Sequence, residues 1–387
     1  MIYPKIYDVL IIGAGPIGSY LAFRLAKEGF KTAIFEEDEE VGKNVICTGI
    51  IGKETFEKFN LPRESILKEI KSINFFSPAG TILKYNPPYV LAYVVDREIF
   101  DKGLFQWAKE EGAETYLGNY VEEVKITPEY CKIKVSEDIS KGAFYEKKAN
   151  VVILATGIKY KLHKKLGLTK PFSFLQGVQV ETILKNPLEE TEIYIGRKVS
   201  PGSFAWAVPL GDSRTRIGIL AKNKAATYLE KIIQNRFKER LAEEPRIRKK
   251  SIAYGLSRKT TGERVMAVGE AAGQVKTTTG GGIAYGLFCS EIAVKVLKEA
   301  FSKGKFDRRE FMEYEKLWKS KLRKEIRMGD YARRIFGKFN DSQIEKAFKF
   351  IKGREGLMKL LEKNFDFEFH SKFLPLGMRI LKEILFR

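Results

Sequence analysis

The sequence predicts an α/β protein in which a mostly parallel sheet is combined with an antiparallel sheet and a helical C-terminal region. Three observations carry this. The opening run "YDVLIIGAG" is apolar almost throughout, as a parallel strand buried on both faces must be. It leads through Gly13-Ala14-Gly15-Pro16-Ile17-Gly18 into a helical pattern. Residues 172–222 switch to alternating positions broken by turn signals, the period of antiparallel strands. Residues 301–387 read as helix and hold 23 Lys and Arg against 13 Asp and Glu.

The elements follow in order. "PIGSYLAFRLAKEGF" is the first helix and "KTAIFE" the next strand. "VGKNVICTGIIG" is punctuated by glycine and reads as a loop. Residues 70–95 contain strands separated by a "PAG" turn and an "NPP" break. "DREIFDKGLFQWAKEEG" is an amphipathic helix that stops at Gly112. "ANVVILATG" is a second strand buried on both faces. In "FAWAVP", a strand puts Phe204, Trp206 and Val208 on one face and Ala205 and Ala207 on the other. Residues 223–250 read as a charged helix. "ERVMAVGEAAG" reads as a buried strand entering a loop, and "TTTGGGIAYGLFCSEIAVKVLKEAF" as a glycine turn opening a long helix.

Composition narrows the function classes. The chain has 387 residues and 44% apolar content, which supports two or three structural units and argues against disorder. No run of about 18 uncharged apolar residues is present, and the N-terminus lacks the pattern of a secretory signal. Cys47, Cys131 and Cys289 give no disulfide framework, so a cytoplasmic location is expected. With only His163 and His370, a histidine-rich metal site is excluded and no metal is expected. The net charge of +20 favours anionic partners. No nucleic-acid module is legible, so no nucleic acid is expected as a partner. The closing "FLPLGMRILKEILFR" mixes apolar and basic residues at helical spacing. It predicts peripheral attachment to an anionic membrane surface, the inner face of the cell membrane.

A GxGxxG between a strand and a helix is the Rossmann-type dinucleotide fingerprint. One glycine makes the tight turn, one lets the backbone approach a pyrophosphate, and one permits close helix–strand packing. The helix N-terminus adds N–H groups and the positive end of its dipole. Glu36 closes the second strand, 23 residues after Gly13, where a carboxylate accepts hydrogen bonds from a ribose diol. The fingerprint alone leaves NAD and FAD open.

Downstream lie Asp96-Arg97 with Phe100 and Leu104, "VVILATG" (Val151 to Gly157), "VMAVGEAAG" (Val265 to Gly273) and "TTTGGGI". With these, the chain resembles the FAD-dependent family that includes p-hydroxybenzoate hydroxylase, specifically its geranylgeranyl reductase branch, over about residues 5–300. The resemblance implies FAD as the cofactor. It implies ADP-half contacts from Gly13, Gly15, Ile17, Gly18 and Glu36, and further contacts from Arg97, Val121, Ala155 and Gly157. It assigns Glu270 to the ribityl chain, a glutamate where the family usually has aspartate. It sets Gly281, Gly282 and Ile283 against the flavin, with the N–H groups of Gly280, Gly281 and Gly282 facing N1 and the C2 carbonyl. The Cys47, Thr48 and Gly49 loop is implied beside the ring, with Cys47 as the catalytic residue. The FAD-binding domain is then expected from 1–69, 96–171 and 255–300. Substrate-domain strands are expected over 70–95, the substrate domain over 172–254, and a basic helical region over 301–387.

The same branch has a motif P-x-x-Y-x-W-x-F-P, which stands here as Pro201 to Pro209 with Phe204 for tyrosine and Val208 for phenylalanine. Phe204, Trp206 and Val208 are therefore expected to bind substrate through an all-apolar wall suited to a polyprenyl lipid. The implied reaction is reduction of isolated C=C bonds by hydride from reduced FAD, with NAD(P)H or reduced ferredoxin as electron donor. A flavin-dependent monooxygenase or halogenase of the same superfamily, or a non-catalytic FAD-binding electron carrier, are the alternatives.

Overall fold

The computed structural model describes residues 6–138, 143–171 and 173–377. Five strands form a parallel sheet in the order Val265–Ala267, Ala143–Leu154, Ile6–Ile12, Thr32–Phe35, Glu114–Tyr116. The first strand pairs Val9 with Val151 on one side and with Thr32 on the other. Antiparallel strands Tyr120–Ile126 and Cys131–Asp138 extend from Ala143–Leu154. The apolar run of Ile6–Ile12 is explained by burial on both faces. Val9 and Ile11 pack under the helices Pro16–Lys27, Ile283–Lys303 and Arg308–Phe336, while Leu10 packs against Val121, Ile133 and Val135 of the antiparallel strands.

The second sheet has the order Arg248–Tyr254, Ser173–Ile183, Arg214–Ala221, Phe204–Gly211, Thr191–Ile195, Ile73–Phe76, Ile82–Tyr85. It is antiparallel except where Thr191–Ile195 runs parallel to Ile73–Phe76. The small face of Phe204–Gly211, Ala205 and Ala207, is packed under the helix Ala225–Ile232 with Leu229 and Phe237. Its heavy face packs with Ile70, Ala92 and Val94.

Two expectations differ from this arrangement. Only Ile73–Phe76 and Ile82–Tyr85 of the 70–95 segment join the large antiparallel sheet. Ala92–Val95 instead pairs with Ile50–Gly52 and Ile66–Ile70 in a separate three-stranded sheet. The helix expected over 223–250 ends at Ile232 and loosens through Ile233–Arg240. Pro245 then bars helix, and Arg248–Tyr254 pairs as an edge strand with Ser173–Gln179. Among the described residues of the C-terminal region, helices run over Arg308–Phe336, Asp341–Lys352 and Glu355–Lys363. No described helix is long and apolar enough to cross a membrane. Residues 378–387 of the stretch read as a membrane contact lie outside the described residues.

Candidate active site

The carboxyl ends of Ile6–Ile12, Thr32–Phe35 and Ala143–Leu154 open into a cavity of about 950 Å³. This is where a doubly wound sheet presents a ligand crevice. The glycines at its edge have distinct tasks. Gly13 has φ +104°, and a Cβ there would fall 2.5 Å from the Ala155 carbonyl oxygen. At Gly18 a Cβ would fall 1.9 Å from the Gly13 oxygen, so Gly18 is buried and serves helix packing; it does not line the cavity. Gly15 is the opposite case. It caps the helix Pro16–Lys27 without a side-chain partner, and nothing lies within 4 Å of where its Cβ would stand. Gly15 and Ile17 line the cavity and their N–H groups find no acceptor among the described residues, which suits a pyrophosphate.

Glu36 supports this cradle. Its carboxylate accepts from the Ala14 N–H at 2.7 Å and the Asp38 N–H at 3.2 Å. Burial pushes its pKa up, and the two N–H donors pull it back. Gly15, Ile17, Glu36, Val121, Ala155 and Gly157 all line the cavity.

Further along the same cavity lies the loop Cys47-Thr48-Gly49. The Gly49 N–H donates to Cys47 Sγ at 3.4 Å. Gly49 has φ +74°, and a Cβ there would meet the Val95 oxygen at 2.5 Å, so both the backbone and the space require glycine. The antiparallel sheet holds this loop from below. Arg216 donates to the carbonyls of Thr48 (2.9 Å) and Val95 (3.1 Å), and Gln179 donates to that of Cys47 (3.3 Å). Arg97 opens the helix Arg97–Glu110, capped by Asp96, whose side chain accepts from Glu98 and Ile99. Its guanidinium forms a bidentate pair with Asp101 at 3.0 and 2.8 Å. Burial pushes the Cys47 thiol up, but the charges of Arg97 and Lys250 and the Gly49 N–H outweigh it and bring the thiol below its ordinary value.

Glu270 lies on the turn Gly269–Ala272 and lines the cavity. Its carboxylate takes the Ala253 N–H at 3.3 Å and has Lys250 Nζ at 4.0 Å; burial dominates and raises its pKa. Gly281, Gly282 and Ile283 also line it, at the start of the helix Ile283–Lys303. The turn differs from expectation in one respect. The Gly280 N–H is taken by the Lys276 carbonyl at 2.8 Å and is not available to a ligand. The N–H groups of Gly281 and Gly282 find no acceptor among the described residues.

Phe204 and Trp206 line the cavity; Val208 does not. Val208 is fully buried against Ile70 and Val94 of the three-stranded sheet. Trp206 lies flat over Gly218 of the neighbouring strand, where a Cβ would fall 2.3 Å from its ring. The apolar end of the cavity continues through Ile73, Phe75, Ile193 and Ile195 to Phe365, Phe367 and Phe373.

Sequence reasoning missed this last group, together with Lys250, Lys276, Arg333, Glu368 and His370, all of which line the cavity. Asp101 was missed as well, although its place four residues after Arg97 on one helix face is a signal that could have found it. The others come from contacts across large sequence separations, for which the chain carries no local signal. His370 Nε2 donates to the Phe367 carbonyl (3.2 Å), which leaves Nδ1 to accept from the Thr278 hydroxyl (2.8 Å). Burial holds its pKa down at about 4, so the ring is neutral and structural.

The open cradle at Gly15, the free N–H pair at Gly281 and Gly282, and the carboxylates Glu36 and Glu270 fit a flavin dinucleotide. A family model described as pyridine nucleotide-disulphide oxidoreductase matches residues 7–195. A crystal structure of a geranylgeranyl bacteriochlorophyll reductase-like protein from Thermoplasma acidophilum superposes with a TM-score of 0.85. It has 21% identity and covers 99% of this chain and all of that one. A flavin-dependent brominase superposes with a TM-score of 0.74 at 15% identity, over 98% of this chain and 99% of its own, which shows a shared fold. The protein is an FAD-dependent oxidoreductase. Digeranylgeranylglycerophospholipid reductase of Methanocaldococcus jannaschii is 31% identical over 353 residues, spanning 88% of this chain and 89% of the relative. The chain belongs to that reductase family.

Proposed function

We propose that this protein reduces isolated C=C bonds of a polyprenyl (geranylgeranyl) chain carried on a lipid or a diphosphate. One observation carries the reading: the glycine cradle, the Cys47 thiol and a long apolar wall line one cavity. The relatives named for reduction of digeranylgeranylglycerophospholipid support a lipid as the substrate. Each CH₂ buried against Phe204, Trp206, Phe365 and Phe367 favours binding by about 0.8 kcal/mol.

Gly13, Gly15, Ile17, Glu36 and Val121 would hold the ADP half of FAD, and Arg97, Ala155, Gly157, Glu270, Gly281, Gly282 and Ile283 the remainder. Reduced FAD would supply the hydride for one alkene carbon. The other carbon needs a proton, and Cys47 would hold it. Its Sγ is fixed by the Gly49 N–H, and the charges of Arg97 and Lys250 ease its release. The apolar wall keeps water from the alkene, and with no hydroxyl at position 204 the wall itself contributes no proton. NAD(P)H or reduced ferredoxin serves as electron donor. The protein works in the cytoplasm at the inner face of the membrane that holds its lipid, and its basic C-terminal region faces the anionic surface.

The test is anaerobic. Photoreduced protein is mixed with a polyprenyl glycerophospholipid, and flavin reoxidation is followed together with lipid mass. Reoxidation with a gain of two hydrogens per bond is expected. A hydroxylated or halogenated product that requires oxygen overturns the reading.

A further inference from the structure

Lys276 and Glu368 form an ion pair of 2.6 Å in which both side chains are more than nine-tenths buried. Glu368 is held from three sides. Its second oxygen accepts from the Gly52 N–H at 2.8 Å, its own N–H donates to Asp366, and its carbonyl accepts from the Tyr285 hydroxyl. Lys276 donates also to the Phe367 carbonyl at 3.3 Å. The turn that carries it is closed by the Gly280 N–H on the Lys276 carbonyl (2.8 Å) and the Lys276 N–H on the Gly281 carbonyl (2.9 Å). The side chain folds back over this turn: a Cβ at Gly281 would lie 2.8 Å from Lys276 Cε and 3.4 Å from Nζ.

An ion pair buried this way adds little to stability by itself, since desolvation offsets most of the attraction. Its position is informative. The ammonium, the two unpaired N–H groups of Gly281 and Gly282, and the positive end of the helix Ile283–Lys303 meet on one stretch of the cavity wall. Three sources of positive potential in a poorly solvated site favour a ligand that gains negative charge there. We infer that Lys276, oriented by Glu368, is an electrostatic partner of the pyrimidine edge of reduced FAD and sets the reduction potential of the bound cofactor. This rests on the reading that the flavin faces the Gly281–Gly282 turn. Lys276 is a positioning charge, and it takes no proton or hydride in this role.

The sign of each substitution follows. Removing the ammonium disfavours the reduced form, and removing the carboxylate favours it. The experiment measures the midpoint potential of FAD bound to the full-length protein, by equilibration with a dye of known potential. Lys276→Met is expected to lower the two-electron reduction constant about tenfold, a shift of about 30 mV, and Glu368→Gln to raise it by a similar factor. The amide of Glu368→Gln still accepts the Gly52 N–H, so this variant tests the idea even where Lys276→Met does not fold. The double variant returns close to wild type. Unchanged potentials, or single variants that shift in the same direction, overturn the inference. So does loss of FAD in every variant while the wild type stays loaded, because the pair then serves only the fold. No lipid is needed, so failure here is separate from failure of the C=C reductase reading, which appears as absent turnover with the potential shifts intact.

Discussion

Arg333 donates to the carbonyl of Gly202 at 3.2 Å, across 131 residues of sequence. The same guanidinium holds the carbonyls of Thr277 and Thr278 at 2.9 and 2.6 Å. It thus ties the turn before the apolar strand Phe204–Gly211 to the glycine turn at the head of Ile283–Lys303. Arg333→Met leaves three carbonyls without this donor, and an unsatisfied buried polar group costs about 1–3 kcal/mol. FAD affinity is expected to fall roughly tenfold or more on that scale, read by titrating apoprotein with FAD. An unchanged dissociation constant would show that the turn holds its shape unaided.

The glycines separate fold from cofactor. Gly13→Ala places a methyl against the Ala155 carbonyl at a φ of +104° and is expected to destabilise the protein by about 1–3 kcal/mol. At Gly15 an added Cβ would have nothing within 4 Å beyond its chain neighbours, and φ is an ordinary −63°, so Gly15→Val is expected to be tolerated by the fold. It should melt near wild type yet purify without yellow colour. Thermal denaturation and the flavin absorbance of the two variants, side by side, check this.

Cys47 is expected to be alkylated first. Its thiol lies below the ordinary value through Arg97 and Lys250, whereas burial pushes Cys131 up to about 12 and Cys289 well above its ordinary value. Iodoacetamide on apoprotein near neutral pH should label Cys47 alone, and Arg97→Met should move the midpoint of the rate profile to higher pH. Because folding lowers this pKa, ionised Cys47 favours the folded state above the ordinary thiol range. That contribution fades as pH falls through the folded value. Peptide mass mapping of the labelled site decides.

Trp206→Ala removes the indole from the cavity wall and leaves the glycine cradle intact. Lipid turnover should drop severalfold or more through KM with FAD still bound. Gly218→Ala reaches the same ring from behind, since its Cβ would fall 2.3 Å from Trp206, and should cost about 1–3 kcal/mol of stability besides. Equal KM values for wild type and Trp206→Ala would remove the indole from substrate binding.

The sequence exposes what depends on backbone shape. Gly13 and Gly18 are legible because only a residue without a side chain permits those approaches, Gly15 because it completes the GxGxxG spacing, and Ile6–Ile12 because burial on both faces requires a continuous apolar run. Alternation places Phe204, Trp206 and Val208 on one face, but not which neighbour covers each. Val208 lies under the three-stranded sheet and the other two border the cavity. Lys276 with Glu368, and Arg216 with Thr48, are pairs whose partners lie 92 and 168 residues apart, with no period connecting them. The return of Phe365, Phe367 and Phe373 to the cavity is hidden for the same reason.

That return has a consequence for biosynthesis. The residues that fit the dinucleotide have all been translated by Ile283, but Phe365 to Phe373 emerge from the ribosome about eighty residues later. During that interval the nascent chain carries the cradle residues but lacks part of the wall. A message truncated before codon 364 would therefore encode every residue that fits the dinucleotide and none of Phe365, Phe367 and Phe373, which close the apolar end of the wall.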